Sequence, residues 1–99
     1  ILPHVPEWAD PSWHLFVVRT CDRAGVQAQL SAAGVGSHIH YPIPPHLQQA
    51  YADLTIPADS LPLAATFADQ VLSLPMGPQL TQADQATVVR AIQGLKFDP

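Results

Sequence analysis

Short runs of apolar residues predict two β-strands near the start of the chain. Residues 13–19, WHLFVVR, are rich in aromatic and β-branched side chains, and the four consecutive apolar residues 15–18 are typical of a strand covered on both faces. A second strand is predicted over 36–41, GSHIHY. Pro42 favours an extended backbone at the residue before it and then ends the hydrogen-bond ladder.

The segment between these strands has the periodicity of an amphipathic helix. Asp22 is suited to cap its N-terminus, and Gly34 is suited to end it after about Ala33. The apolar residues at i, i+4 and i+7 form one stripe that faces a core: Val26, Leu30 and Ala33. A helix that connects two strands of one sheet by a right-handed crossover makes those strands parallel.

The second half of the chain predicts three helices and one short strand. The helices cover 45–54, 60–72 and 81–95, and the last one starts with a capping-box pattern. The strand covers 72–76 and ends at a proline. The residues predicted to face the core are Leu47, Tyr51 and Leu54; Leu63, Ala64, Phe67, Ala68, Val71 and Leu72; and Val88, Ile92 and Leu95.

This order of elements predicts an α+β fold, a small three-stranded sheet with helices packed on one face. The strand over 72–76 can insert between the two parallel strands, antiparallel to both. Residues 1–12 contain three prolines and are expected to form an extended leading segment. Trp8 and Trp13 are expected to act as packing anchors. We expect a single domain over 1–99, with the second face of the sheet covered by polypeptide outside it.

The charge content supports the expectation of a missing partner. Charged residues form 12% of the chain, whereas roughly 25% is typical of soluble domains. Either a partner covers part of the surface, or the organism has alanine-rich, lysine-poor proteins.

A net charge of −4 with four Lys and Arg argues against nucleic-acid binding. No apolar run is long enough to predict a membrane span. The single cysteine, Cys21, excludes an internal disulfide and fits a cytoplasmic location.

The densest polar cluster lies at the end of the second predicted strand and in the loop that follows: Ser37, His38, His40, Tyr41 and His46. Three interpretations are open. The histidines could bind zinc, although their spacing matches no recognised zinc signature. They could bond backbone groups at the strand end, which is favoured for His38 and His46. Alternatively, His40 and Tyr41 could project into a ligand pocket and contact sugar hydroxyl or phosphate oxygens.

Other catalytic signatures are missing from the sequence. It contains no nucleophile elbow, no P-loop and no glycine-rich dinucleotide motif. Cys21 has no suitable partner histidine, and Lys96 lies near a helix C-terminus, where a cation is favoured by the helix dipole. We therefore predict no catalytic, cofactor-binding or metal-binding residue in this chain.

Four stretches, in order, resemble the C-terminal domain of the DegT/DnrJ/EryC1/StrS sugar aminotransferases. They are residues 8–19, 34–51, 61–81 and the closing amphipathic helix, so the resemblance covers essentially the whole chain. Its most specific parts are IHYPIPPHLQ at 39–48 and LSLPMGPQLT at 72–81.

The resemblance implies a parent enzyme of fold type I that uses pyridoxal phosphate (PLP). Such an enzyme transfers an amino group to a keto-sugar carried on a nucleotide, for polysaccharide or antibiotic-sugar synthesis. It implies a homodimer whose large N-terminal domain holds PLP, while the small domain covers the active-site cleft. Through the I-H-Y-P positions, His40 and Tyr41 become candidate contacts to the nucleotide sugar, with His46 as a weaker candidate.

The resemblance also leaves alternatives open. Without a large domain, the fragment is expected to bind no PLP and to be inactive. Some relatives have become dehydratases or regulatory proteins, and the residues that decide this lie in the large domain. Outside the resemblance, a stand-alone sugar-nucleotide binding or structural module without catalysis is the alternative.

Overall fold

The computed structural model describes residues 1–96, and at its centre two antiparallel strands form a small sheet. β1 spans Phe16–Arg19 and β2 spans Val71–Leu74. The register places Val18 opposite Leu72. The predicted domain also includes residues 97–99, which lie outside the described residues.

Three α-helices and two 3-10 helices surround this sheet in the described chain. Their bounds are α1 Arg23–Ala32, α2 Pro62–Gln70 and α3 Gln82–Gln93, with 3-10 helices at Pro45–Leu47 and Gln49–Leu54. The three α-helices agree with the predicted ones to within about two residues at each end. No helix in residues 1–96 combines the length and the apolar character that a bilayer crossing requires.

Both predicted N-caps are confirmed. The carboxylate of Asp22 accepts a hydrogen bond from the backbone N–H of Gly25 at 2.9 Å. At the start of α3, Thr81 and Asp84 form a reciprocal capping box. The hydroxyl of Thr81 donates to the Asp84 carboxylate, and so does the backbone N–H of Thr81. These two hydrogen bonds, the hydroxyl's being the stronger influence, hold the pKa of Asp84 below its usual value. Local polar pairs therefore set where these two helices begin.

Gly34 follows α1 in a left-handed backbone conformation, with φ of +75°. Only glycine adopts this region without steric cost. A Cβ at Gly34 would meet no heavy atom within 4 Å, and the same is true of Gly36, which has no positive φ. The two positions thus differ in backbone conformation and not in available space.

We expect Gly34→Ala to lower the free energy of unfolding by about 1 kcal/mol, because alanine is strained at positive φ. Urea unfolding followed by circular dichroism measures the change. Gly36→Ala is the matched control, and its effect is expected to be smaller or slightly stabilising. Equal losses from the two variants would contradict the assignment of strain to Gly34.

The hydrophobic core lies between one face of the sheet and the helices α1 and α3. Its buried residues are Val18, Val26, Leu30, Val35 and Leu72, and half-buried apolar residues pack around them: Phe16, Ile39, Leu74, Val88, Ala91, Ile92 and Leu95. Side chains alternate along a strand. Leu72 therefore faces this core, whereas Ser73 faces the opposite side. The predicted stacking of helices on one face is confirmed for α1 and α3.

The predicted third strand is wrong in extent. Residues 36–41 make one isolated antiparallel bridge, between His38 and Ser73, so the sheet has two strands. The chain bends at His40, and Pro42 has no N–H to extend a ladder. The bridge nevertheless places β2 between β1 and this segment and antiparallel to both, as predicted.

The predicted helix over 45–54 is also wrong. An extended backbone at Gln48 separates two 3-10 helices, and the apolar side chains predicted to be buried are exposed: Leu47, Tyr51 and Leu54. Every residue from 49 to 63 is exposed. No described part of the chain covers this segment, so its apolar side chains have nothing to pack against.

Four further large side chains predicted to pack are instead exposed. Trp8 is almost fully exposed and Leu63 is 72% exposed, whereas Trp13 and Phe67 are each a little under half exposed. Trp13 contacts only Phe16 among aromatic rings, with 5.4 Å between centroids. On α2, Ala68 alone is buried. The radius of gyration, 15.8 Å, exceeds the ~13 Å typical of a 100-residue domain. Packing in the described chain is therefore concentrated around α1, α3 and the sheet.

Candidate functional site

The candidate site lies on the face of the sheet opposite α1 and α3, where the His38 segment meets β2. The backbone N–H of His38 donates to the carbonyl of Ser73 at 3.1 Å, and the N–H of Ser73 donates to the carbonyl of His38 at 2.7 Å. Two residues further on, Nδ1 of His40 is 2.9 Å from the hydroxyl oxygen of Ser73. One serine therefore binds both histidines, one through its backbone and the other through its side chain.

His40 is half-buried and lies between two cavities of about 320 Å³ each. The residues lining the first are His14, Leu15, Gly36, His38, His40, Ser73, Leu74, Pro75 and Met76. The residues lining the second are His40, Tyr41, Ile43, Pro44, Pro45, Gln48, Ala64, Phe67, Ala68 and Val71. His38 and His40 face the same cavity, with 6.0 Å between ring centroids. The two imidazoles therefore lie on the same side of this segment.

Tyr41 contacts His40 and opens onto the second cavity. The two rings meet edge to face, with centroids 5.3 Å apart, and the peptide bond that joins the residues is cis. Tyr41 itself is largely exposed. Phe67, also in this cavity, has the guanidinium of Arg19 4.2 Å from its ring centroid. This cavity therefore combines aromatic surface with one imidazole and one phenol.

His46 occupies a different environment from His40. It is 8% exposed, and its Nε2 lies 3.3 Å from the carbonyl of Ala58. A carbonyl only accepts, so this contact requires a proton on Nε2. Nδ1 is buried without a partner among the described residues. This geometry fits the interpretation that His46 bonds a backbone group, and its ring lines neither of the two cavities.

Two polar residues of the first cavity had not been predicted from the sequence. Ser73 lies 33 residues from His40 in the chain, and His14 lies in the segment before β1. Pairing the segments 36–41 and 72–76 in register would have suggested Ser73, but the register is not encoded in the local pattern of either segment. Nothing in the sequence around His14 distinguishes it from an ordinary exposed histidine.

Lys96 is the candidate to consider for an aldimine with PLP, because such a bond needs a lysine. Lys96 is the only lysine of the chain, and no described cavity includes it. Its backbone N–H and carbonyl bond the side chain of Gln29 at 2.9 Å each. The backbone around Lys96 therefore ties the chain to α1.

The zinc interpretation has no geometric support in residues 1–96. That part of the chain holds no group of three or more His, Cys, Asp or Glu side chains placed to bind a metal ion. Cys21 is exposed. The chemistry that the site offers is hydrogen bonding from an oriented imidazole and a phenol beside apolar surface, which suits binding of a polar ligand.

Comparison with known proteins identifies the family that this chain resembles. The family model of the DegT/DnrJ/EryC1/StrS aminotransferase family matches residues 1–93. "Erythromycin biosynthesis sensory transduction protein EryC1" of Saccharopolyspora erythraea is 47% identical over 92 residues, and "dTDP-3-amino-3,4,6-trideoxy-alpha-D-glucose transaminase" of Streptomyces venezuelae is 46% identical over 92 residues. These matches cover 93% of this chain but 25% and 24% of the two relatives.

A solved structure agrees with the sequence matches. The crystal structure of S. venezuelae DesV in complex with a ketimine intermediate superimposes with a TM-score of 0.89, at 46% identity. The superposition covers 93% of this chain and 25% of that one. The chain thus spans about a quarter of the length of the proteins that it resembles. Because both the family model and the relatives match almost all of its length, the chain belongs to the DegT/DnrJ/EryC1/StrS aminotransferase family.

Proposed function

We propose that this chain is the C-terminal domain of a PLP-dependent aminotransferase that acts on a nucleotide-linked keto-sugar. The observation that carries the proposal is the 46% identity, over 93% of the chain, with a protein named as a transaminase of a dTDP-linked amino sugar. In this proposal the PLP-binding lysine and the amino-transfer chemistry belong to an N-terminal large domain, which is supported by a relative of which this chain covers only 24%. PLP would supply the amino-transfer chemistry there.

The role of this chain in the proposed enzyme is to cover the active-site cleft. Its exposed apolar side chains support such a role, because isolated soluble domains rarely leave large contiguous apolar areas in water. They are concentrated in residues 41–67: Tyr41, Ile43, Leu47, Tyr51, Leu54, Ile56, Leu61, Leu63 and Phe67. We assign this surface to contacts with the large domain and with the second subunit of a homodimer. A cytoplasmic location remains a prediction.

Within this role, His40 and Tyr41 contact the nucleotide sugar. The support is their position: both line one cavity, and Nε2 of His40 makes no hydrogen bond with any residue that the structure describes. A nitrogen in this position can donate to a phosphate or hydroxyl oxygen. Substrate contact by His46 also remains a prediction, and it would require the buried ring to become accessible.

Spectroscopy and activity together test the proposal. The polypeptide encoded by the whole natural reading frame and the 99-residue chain are each purified and mixed with PLP. We expect a stoichiometric bound-PLP absorbance band, and amino transfer between glutamate and a dTDP- or UDP-linked keto-sugar, from the whole polypeptide only. The 99-residue chain provides the matched control, since it keeps the surface described here and lacks the proposed catalytic domain.

Three results would contradict the proposal and favour the other candidates. A PLP band from the 99-residue chain, abolished by Lys96→Ala, would place the cofactor site in this chain. Saturable binding of a nucleotide sugar by the 99-residue chain in calorimetry, from a gene that encodes nothing more, would favour a stand-alone binding module. A bound-PLP band without amino transfer in the whole polypeptide would indicate a dehydratase or regulatory relative.

A further inference from the structure

Ser73 occupies the most constrained position on the site face of the sheet. It lies in β2, between β1 and the His38 segment, and is 5% exposed. Both of its backbone polar groups are bonded to His38, at 2.7 and 3.1 Å. A side chain that projects from such a position has a fixed origin, so its hydroxyl is restricted to the few staggered positions about χ1.

The group that it bonds is the imidazole of His40. Rotation about the last side-chain torsion of histidine is broad and roughly two-fold, so an unrestrained ring can exchange the positions of its nitrogen and carbon edges. The 2.9 Å contact between Nδ1 and the Ser73 hydroxyl selects one of these orientations. A serine hydroxyl both donates and accepts, so it can hold either neutral tautomer of the ring.

We propose that Ser73 is a positioning residue that orients His40 so that its Nε2 meets the nucleotide sugar. This inference rests on the proposed function, because it assumes that His40 contacts that ligand. Ser73 acts through His40 and touches no ligand itself. The hydrogen bond between the two side chains removes a rotational freedom that binding would otherwise have to restrict, so the ring is oriented before the ligand arrives.

A double-mutant cycle in the protein encoded by the whole reading frame tests this inference. The probe is dTDP-glucose or UDP-glucose, whichever the unaltered protein binds, and calorimetry gives the dissociation constant. We expect Ser73→Ala to raise it about fivefold, as for the loss of one well-oriented hydrogen bond. In a His40→Ala background, Ser73→Ala is expected to change it by less than about twofold, because the ring to be oriented is gone.

A spectroscopic readout separates positioning from a general loss of structure. In the protein labelled with ¹⁵N-histidine, Ser73→Ala is expected to shift the ring nitrogens of His40 and to leave those of His4 and His46 unchanged. Ser31→Ala, at an exposed position of α1, is the matched control and is expected to alter neither the spectrum of His40 nor the dissociation constant.

The outcomes distinguish the two proposals. Unchanged affinity and unchanged His40 resonances in Ser73→Ala, or fully additive losses in the cycle, would overturn the positioning role while the proposed function stands. If His40→Ala binds the probe as tightly as the unaltered protein, or if the unaltered protein binds neither nucleotide, the proposed ligand contact fails, and the inference that rests on it fails too.

Discussion

Leu30→Ala is expected to lower the free energy of unfolding by about 3–4 kcal/mol, equivalent to a factor of several hundred in the folding equilibrium. Leu30 has no exposed surface, and it packs in a cluster with Val18, Val26 and Leu72. Truncation removes three buried carbons and leaves a cavity between α1 and the sheet. Because so few side chains are fully buried in the described chain, we expect little compensation elsewhere. Urea unfolding monitored by circular dichroism measures the loss.

Leu63→Ala is the matched control for this experiment. Leu63 also lies on an α-helix, α2, but is 72% exposed. Leucine and alanine are both good helix formers, so the comparison isolates burial. We expect a change within about 0.5 kcal/mol. Similar losses from both variants would show that α1 does not form the core of the folded chain.

His40→Ala is expected to raise the dissociation constant for the bound dTDP- or UDP-linked sugar at least about tenfold in the whole polypeptide. The reason is the loss of a hydrogen bond from an oriented imidazole to a phosphate oxygen, which is worth more than a bond between neutral groups. Calorimetry of the purified variant measures the change.

The control for this substitution is His4→Ala. His4 is an exposed histidine of the leading segment that lines none of the described cavities. Its removal changes the number of titratable imidazoles in the same way and is expected to leave affinity within about twofold. A loss of affinity common to both variants would indicate a general effect of histidine removal and would remove the support for His40 as a ligand contact.

The candidate site was only partly predictable from the sequence. The motif IHYP identified His40 and Tyr41 through its resemblance to a family, and the structure places both in one cavity. The same motif could not identify Ser73, whose contact with His40 depends on how two distant segments pair. It also could not show that the His46 ring is buried, because that follows from how the loop around Ala58 folds back over it.

The fold shows the same division between local and distant determinants. The sequence by itself determined where α1, α2 and α3 lie, where α1 and α3 are capped, and that Val26 and Leu30 of α1 face the core, because these features depend on side chains and backbone groups within about four residues of each other. Ala33, predicted to continue that stripe, is the exposed C-cap of α1. Tertiary structure alone decided that residues 36–41 form one bridge instead of a strand, that the 49–63 segment stays exposed, and that Ser73 meets His40. Each of these depends on which distant surface is available for packing or pairing, and no local periodicity carries that information.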